Sequence, residues 1–394
     1  MGRDPEPAKK RLADMRVLIV GGNNAACALP DLLRFLTDGP RAEDVIFVGH
    51  PFPEDFVRRS EVQVRRGGRQ REWSIKRGQH HGLLSWLGDI FATLLALLIL
   101  RRAYDLYVAS SLHLVLLGLV LESVGIVKCT VCWTHDYHPR RFGNSFLNSA
   151  HLKLDEFCVK HVDYCWDVVP TIAEHRHQRG IKLAPHKVLT VGDPVPAEQM
   201  DLIPAEEVPA ASIINSGAVE EAGYGFNLLL EALPHVIRKE PKTKVTVTTY
   251  KGFPENLRHR IRELGLEAHF SLRGYIADEL EYVRVVQRHR VGLAIYEPIP
   301  NTHKRYSDSR AKVYAAQGVP VIITRVSPIA AEIEAAGAGI VIDHEKEQLA
   351  EAILKLLTDD DFYRRCRDNA INLAQQYLAD KVFPAAFRRM GIES

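Results

Sequence analysis

The chain has 394 residues, too many for one compact core and suited to two domains of ordinary size. Its 46% hydrophobic and 25% charged content belongs to a folded globular protein and excludes the disordered and fibrous classes. A formal net charge of +2 exerts no global pull on nucleic acid, so no nucleic-acid partner is expected and any polyanion contact must come from local patches.

Residues 1–14 are polar, carry no secretory pattern and read as a flexible tail. An apolar strand over 17–20 follows, then Gly21 and Gly22, then a helix from about Pro30. Residues 45–48 form a second predicted strand. The next stretch is unusual: Arg58, Arg59, Arg65, Arg66, Arg69, Arg71, Lys76 and Arg77, with Trp73 and Trp86, lead into the apolar run 82–100. That run approaches the roughly 20 residues of a bilayer crossing. It sits between two strands of one domain, however, and a crossing would place them on opposite sides of the membrane. Cations and tryptophans beside an apolar helix instead predict docking on an anionic membrane surface through residues 58–100. The competing expectation is a buried helix behind a solvated arginine loop.

Strands are predicted at 105–109, 127–133, 164–169 and 188–191, with helices at 112–122 and 155–162 between them. Alternation of this kind predicts a Rossmann-like domain over 15–200. Residues 191–210 are rich in proline and acid, lack periodicity and read as a linker. A second alternation has strands at 244–249, 268–272, 291–295, 319–323 and 339–342, which predicts a second Rossmann-like domain over 211–375. Residues 376–394 read as a helical tail that packs back on the first domain. The fold class is therefore α/β, with two Rossmann-like domains.

Six cysteines do not make a disulfide scaffold in a chain of this length. Cys129 and Cys132 form a CxxC with His135 nearby, a spacing that raises zinc. Positions three apart in a strand point to opposite faces, so buried thiols are expected and no metal. Reduced cysteines predict a cytoplasmic protein.

Two segments carry candidate chemistry. His135 and Asp136 follow the fourth strand, where the functional groups of such sheets lie, and a neighbouring carboxylate can orient an imidazole. In the second domain Ser307, Asp308, Ser309, Arg310 and Lys312 crowd the start of a short helix that ends at Gly318. Free N–H groups, hydroxyls and cations at a helix N-terminus suit a phosphate. The alternative is an ordinary capped surface helix.

The order of these segments resembles the GT-B glycosyltransferases, in particular the group 1 family (family 4). DLYVASSLHLVLLGLVLESVGIVKCTVCWTHDYHP resembles that family's strand, helix and strand ending in a His-Asp or His-Gly turn. HVDYCWDVVPTIAEHRHQRGI and VLTVGDPVP are similar to the elements before its interdomain linker, and ASIINSGAVEEAGYGFNLLLEAL to the opening of its donor domain. FSLRGYIADEL, with Tyr275 and Ile276, resembles its element around the base, and SRAKVYAAQGVPVI its donor-phosphate helix. There are departures. The loop from Gly217 to Gly225 has no cation where the family carries Arg and Lys, and Val313 stands where a ribose-binding Glu is expected. Ser309-Arg310 resembles a Ser-Lys variant of the family, which implies that Arg310 or Lys312 supplies the missing charge. Glu297 or Asp308 is then left to serve the ribose, and Glu332 lies where the family often has an acid.

The resemblance implies an acceptor-binding first domain, a nucleotide-sugar-binding second domain and sugar transfer with retained anomeric configuration. The donor is a UDP- or GDP-linked sugar, the acceptor a glycan or lipid-linked molecule at the cytoplasmic membrane face, and no cofactor or metal is needed. Gly21 and Gly22 either let backbone approach a ligand closely or make a tight turn. A sugar-nucleotide epimerase of the same fold and a non-catalytic partner subunit remain as alternatives.

Overall fold

The computed structural model describes residues 10–394 apart from 23–27, 39–40, 52–58, 78–82, 136, 196–199, 201, 220–222, 250–251, 277, 301 and 308. Contacts divide the chain into two compact units, Met1–Pro194 with Ala379–Ser394, and Val195–Leu378.

The first unit runs β1 (Lys10–Arg11), β2 (Arg16–Gly22), α1 (Leu29–Thr37), β3 (Asp44–His50), β4 (Arg59–Arg66), β5 (Arg69–Lys76), α2 (Leu83–Leu100), β6 (Leu106–Ala109) and α3 (Leu112–Ser123). It continues through β7 (Thr130–Thr134), α4 (Ser145–His161), β8 (Tyr164–Asp167), α5 (Pro170–Gln178) and β9 (Val188–Thr190). Its main sheet has the order β5-β4-β3-β2-β6-β7-β8-β9. β2, β3 and β6 to β9 are parallel, whereas β4 and β5 are antiparallel. The central strands are buried on both faces, which is why they read as continuous apolar runs.

The arginine-rich segment is not the solvated loop of the competing expectation. Residues 59–76 form a hairpin that pairs from Arg59 with Lys76 to Arg66 with Arg69. Gly67 and Gly68 close it with φ of 51° and 76°, the left-handed pair that a two-residue hairpin turn requires. The fourth parallel strand is also shorter than predicted. It begins at Thr130, and Val127 makes only an isolated bridge with Tyr104.

The second unit contains β10 (Ser212–Ser216), α6 (Phe226–Lys239), β11 (Lys244–Thr248), α7 (Glu255–Glu263), β12 (Phe270–Arg273), α8 (Glu279–Val286) and β13 (Val291–Ala294). It continues with α9 (Ser309–Ala316), β14 (Val321–Thr324), α10 (Ala330–Ala336), β15 (Gly339–Ile342), α11 (Lys346–Thr358) and α12 (Asp360–Ala374). The sheet is all parallel, in the order β12-β11-β10-β13-β14-β15. This is the doubly wound order, with its topological switch point between β10 and β13. The expected pair of Rossmann-like domains is what the chain forms.

The last helix, α13 (Ala379–Arg389), and β16 (Ile392–Glu393) belong to the first unit, where β16 pairs with β1. Phe383 and Phe387 are fully buried there against Phe35, Trp133 and Trp166.

Candidate functional site

Each unit gathers side chains beyond the carboxyl ends of its parallel strands. In the second unit the gathering point is the switch between β10 and β13. Gly217 follows β10 with φ of 113°, a conformation that side chains rarely adopt, and a Cβ there would collide with the Arg310 guanidinium. Arg310, in the first turn of α9, is thus laid against the backbone of Gly217. The faces of Tyr224 and Tyr296 stand 5.2 and 5.8 Å from its guanidinium carbon. The same two rings flank Lys304 Nζ at 4.3 and 5.6 Å, so two cations share one aromatic pair. Among the described residues no carboxylate pairs with Arg310. Cation–π contact stabilises such a charge by about 0.5–2 kcal/mol without neutralising it, so its field remains available to an anion.

Tyrosines also brace the floor. Tyr314 Oη accepts from Ser216 N at 3.0 Å, and its ring packs so closely on Gly292 that a Cβ there would clash. Burial pushes the Tyr314 and Tyr282 phenols up, so both stay protonated hydrogen-bonding groups.

The predicted residues of this unit separate into groups. Gly217 and Arg310 meet directly. Glu297 holds the far side of the same loop: its Oε2 accepts from Gly223 N at 3.3 Å, and its own N–H donates to the Gly223 carbonyl at 3.0 Å. Lys312 is buried but turned elsewhere, its Nζ 4.6 Å from the Tyr377 ring, and Tyr377 in turn bonds Glu332. Residues two apart on a helix do not share a face, so Lys312 cannot join Arg310. Tyr275 is exposed and Ile276 half-buried after edge strand β12, two strands from β10. Ser309 is the first residue of α9, and Asp308 lies outside the described residues. Lys304 escaped sequence reasoning. Its signal is Thr302, whose side chain accepts from Lys304 N and caps a short turn over His303–Tyr306.

In the first unit His135 follows β7. Its Nδ1 lies 2.8 Å from Asp193 Oδ1, and its Nε2 is buried without a hydrogen bond among the described residues. Asp136 lies outside the described residues, so the carboxylate recorded on His135 is Asp193, which sequence reasoning missed. Trp133 packs 4.3 Å from the imidazole and donates from Nε1 to the Val191 carbonyl at 3.0 Å, tying the two segments together. Beneath the turn, fully buried Arg176 bonds Asp155 and Asp167 at 2.7 Å each and Thr134 Oγ1 at 3.1 Å. His135 thus stands on a cross-braced base.

Gly21 and Gly22 end β2 at the switch between β2 and β6. A Cβ on Gly21 would strike Leu29 and Ser110, so this glycine serves the close approach of α1 and the end of β6. The CxxC is no ligand pair of one strand. Cys129 precedes β7 and Cys132 is buried in it, and burial pushes both thiols up to about 12.

Residues 210–359 match the family described as Glycosyl transferases group 1. This part of the chain is similar to that family. The matched segment contains Gly217, Tyr224, Tyr296, Lys304 and Arg310, the whole cationic cluster. No curated protein matches the chain. Among solved structures, the chain is similar to sucrose-phosphate synthase from Thermosynechococcus elongatus, with TM-score 0.67, 12% identity and coverage of 95% of this chain and 99% of the other. It is similar to an alpha,alpha-trehalose-phosphate synthase (UDP-forming) from Burkholderia vietnamiensis, with TM-score 0.67, 14% identity and coverage of 96% and 99%. Anabaena HepE in complex with UDP gives TM-score 0.65, 12% identity and coverage of 95% and 99%. The fold of the chain is accordingly the GT-B fold.

Proposed function

We propose that this protein is a glycosyltransferase that moves a sugar from a UDP- or GDP-linked donor to a glycan or lipid-linked acceptor, without a metal and with retained anomeric configuration. The observation that carries the reading is the Arg310 guanidinium, seated on Gly217 between two tyrosine rings, with no carboxylate paired to it among the described residues. When the bond between the sugar's anomeric carbon and the diphosphate breaks, negative charge grows on the leaving phosphate. Arg310, Lys304 and the N-terminus of α9 answer that charge in place of a metal ion. The acceptor oxygen bonds the anomeric carbon as the bond to the diphosphate breaks, and its proton passes to the leaving phosphate oxygen; His135 of the first unit is assigned to the acceptor. HepE, solved with UDP, supports a uridine nucleotide as the first ligand to try.

A thermal-shift screen with UDP, GDP and their sugars tests the proposal. A ligand at about 100 times its Kd adds ~2.7 kcal/mol to stability by mass action, which raises the melting temperature by several degrees. A melting temperature unmoved by every nucleotide and nucleotide sugar would overturn it.

A further inference from the structure

The first unit has an open apolar face. Leu84, Leu87, Phe91, Leu94 and Leu98 are exposed along α2, Phe91 by 66% and Leu98 by 69%. Their spacing of three and four residues makes a single stripe along the whole helix, about 21 Å at 1.5 Å per residue. Leu116 and Val120 of α3 and Val124 at its C-terminal cap are exposed too, at helical spacing of four. The two helices are joined through the stacking of Trp86 on His113 at 5.2 Å and through His113 Nε2 on Asp89 Oδ2 at 3.0 Å. Asp89, the only charge in α2, is buried on the opposite side and paired with Arg77, so the stripe itself is uncharged. Contiguous apolar exposure of this kind marks an interaction surface.

Charge beside the stripe identifies its occupant. Strand periodicity sends alternate hairpin residues to opposite faces. Val62, Val64, Trp73 and Ile75 pack in the same apolar cluster as the buried side of α2. Register places Arg66, Arg69 and Arg71 on that face as well, opposite one another and opposite Val64, and all three are exposed. Glu61 and Glu72 project to the other face, where Arg65 reaches the Thr37 carbonyl of α1. Arg66 and Arg102 both bond Asp44, at 3.5 and 2.7 Å, which brings the arginine end of the hairpin to the carboxyl end of α2 and exposed Arg101. Cations thus rim one end of an uncharged apolar stripe, and the hairpin's acids are turned away.

We propose that this face seats on the surface of an anionic lipid bilayer, with the α2 stripe in the boundary between headgroups and acyl chains and Arg69, Arg71 and Arg101 on lipid phosphates. A lipid surface answers both halves of the face at once. A second copy of the chain would cover the stripe but would bring only like-charged rims. Among the described residues no helix is long and apolar enough to cross a membrane, which agrees with a helix that lies on the surface.

Flotation of the full chain with phosphatidylcholine vesicles, with and without phosphatidylglycerol, tests the proposal. The chain is expected to float with the anionic vesicles at least tenfold more than with the neutral ones, and less as salt rises. Phe91→Glu with Leu98→Glu, and separately Arg69→Glu with Arg71→Glu, are expected to lower flotation at least tenfold while circular dichroism stays unchanged. Absence of binding to anionic vesicles, or binding that both double variants retain, would overturn it. So would a dimer in light scattering that Phe91→Glu splits while no variant changes flotation, because a second copy would then own the face.

Discussion

His135 and Asp193 stand 58 positions apart and share a hydrogen bond of 2.8 Å, so the carboxylate that sets the imidazole comes from the end of the first unit's sheet. A hydrogen bond at Nδ1 fixes the role of Nε2, the nitrogen with no partner among the described residues. Asp193→Ala is therefore expected to lower kcat roughly 10- to 100-fold and leave donor KM near its wild-type value, as a slightly misplaced group does. His135→Ala is expected to lower kcat by about 100-fold or more. The double variant should be no worse than His135→Ala, since the two act as one unit. Steady-state kinetics checks this, and additive losses would separate the residues.

Gly217 is tested by adding a single methyl group. Gly217→Ala forces an alanine to φ of 113° and drives its Cβ into Arg310. The backbone strain is expected to cost about 1–3 kcal/mol of stability, measured by urea unfolding. Displacement of the guanidinium should weaken UDP binding about tenfold. Retained affinity in the destabilised variant would show that Arg310 need not rest on the loop.

Much of this fold is legible in the chain because parallel strands buried on both faces must be apolar throughout, as residues 17–20 and 291–294 are. The hairpin escaped because its arginines mask a period of two, although Gly67-Gly68 between Val62, Val64, Trp73 and Ile75 is a turn signal. The site was legible one partner at a time. His135 and Arg310 are marked by their places after a strand and at a helix start. Asp193 is marked by nothing local, since contact between distant segments decides it, and Lys304 is marked only by the Thr302 cap two residues before it. Lys312 shows the converse: its charge suits a phosphate, but its position two residues from Arg310 turns it to Tyr377.

His50 gives the first unit a dependence on pH. Its ring nitrogens lie 2.9 Å from Ser60 and 3.0 Å from Thr93, with Asp89, Arg77 and His113 around them, and burial holds its pKa down at about 4. The unfolded chain binds the proton near 6.5, so stability is full above that value and is lost as pH falls from 6.5 toward 4. The expected loss is about 2–3 kcal/mol, and His50→Gln should flatten it. All four tryptophans, Trp73, Trp86, Trp133 and Trp166, lie in the first unit, so urea unfolding followed by tryptophan fluorescence at pH 7 and pH 5 reads this unit alone. Equal slopes for wild type and variant would remove His50 from the account.

Arg176 is 1% exposed between Asp155 and Asp167. Arg176→Met leaves two buried carboxylates without their principal partner, which is expected to destabilise the unit by about 3–5 kcal/mol. The same fluorescence measurement checks it. A loss below about 1 kcal/mol would mean that the pair is hydrated and does not support the His135 turn.

The central claim is that Arg310 receives the donor's diphosphate, and calorimetric titration of UDP into wild type and Arg310→Ala tests it most directly. Loss of a hydrogen bond to a charged group costs ~1.5–3 kcal/mol, so the account predicts affinity weaker by about 10- to 150-fold in a variant that remains folded. Equal affinity in the two proteins would contradict it.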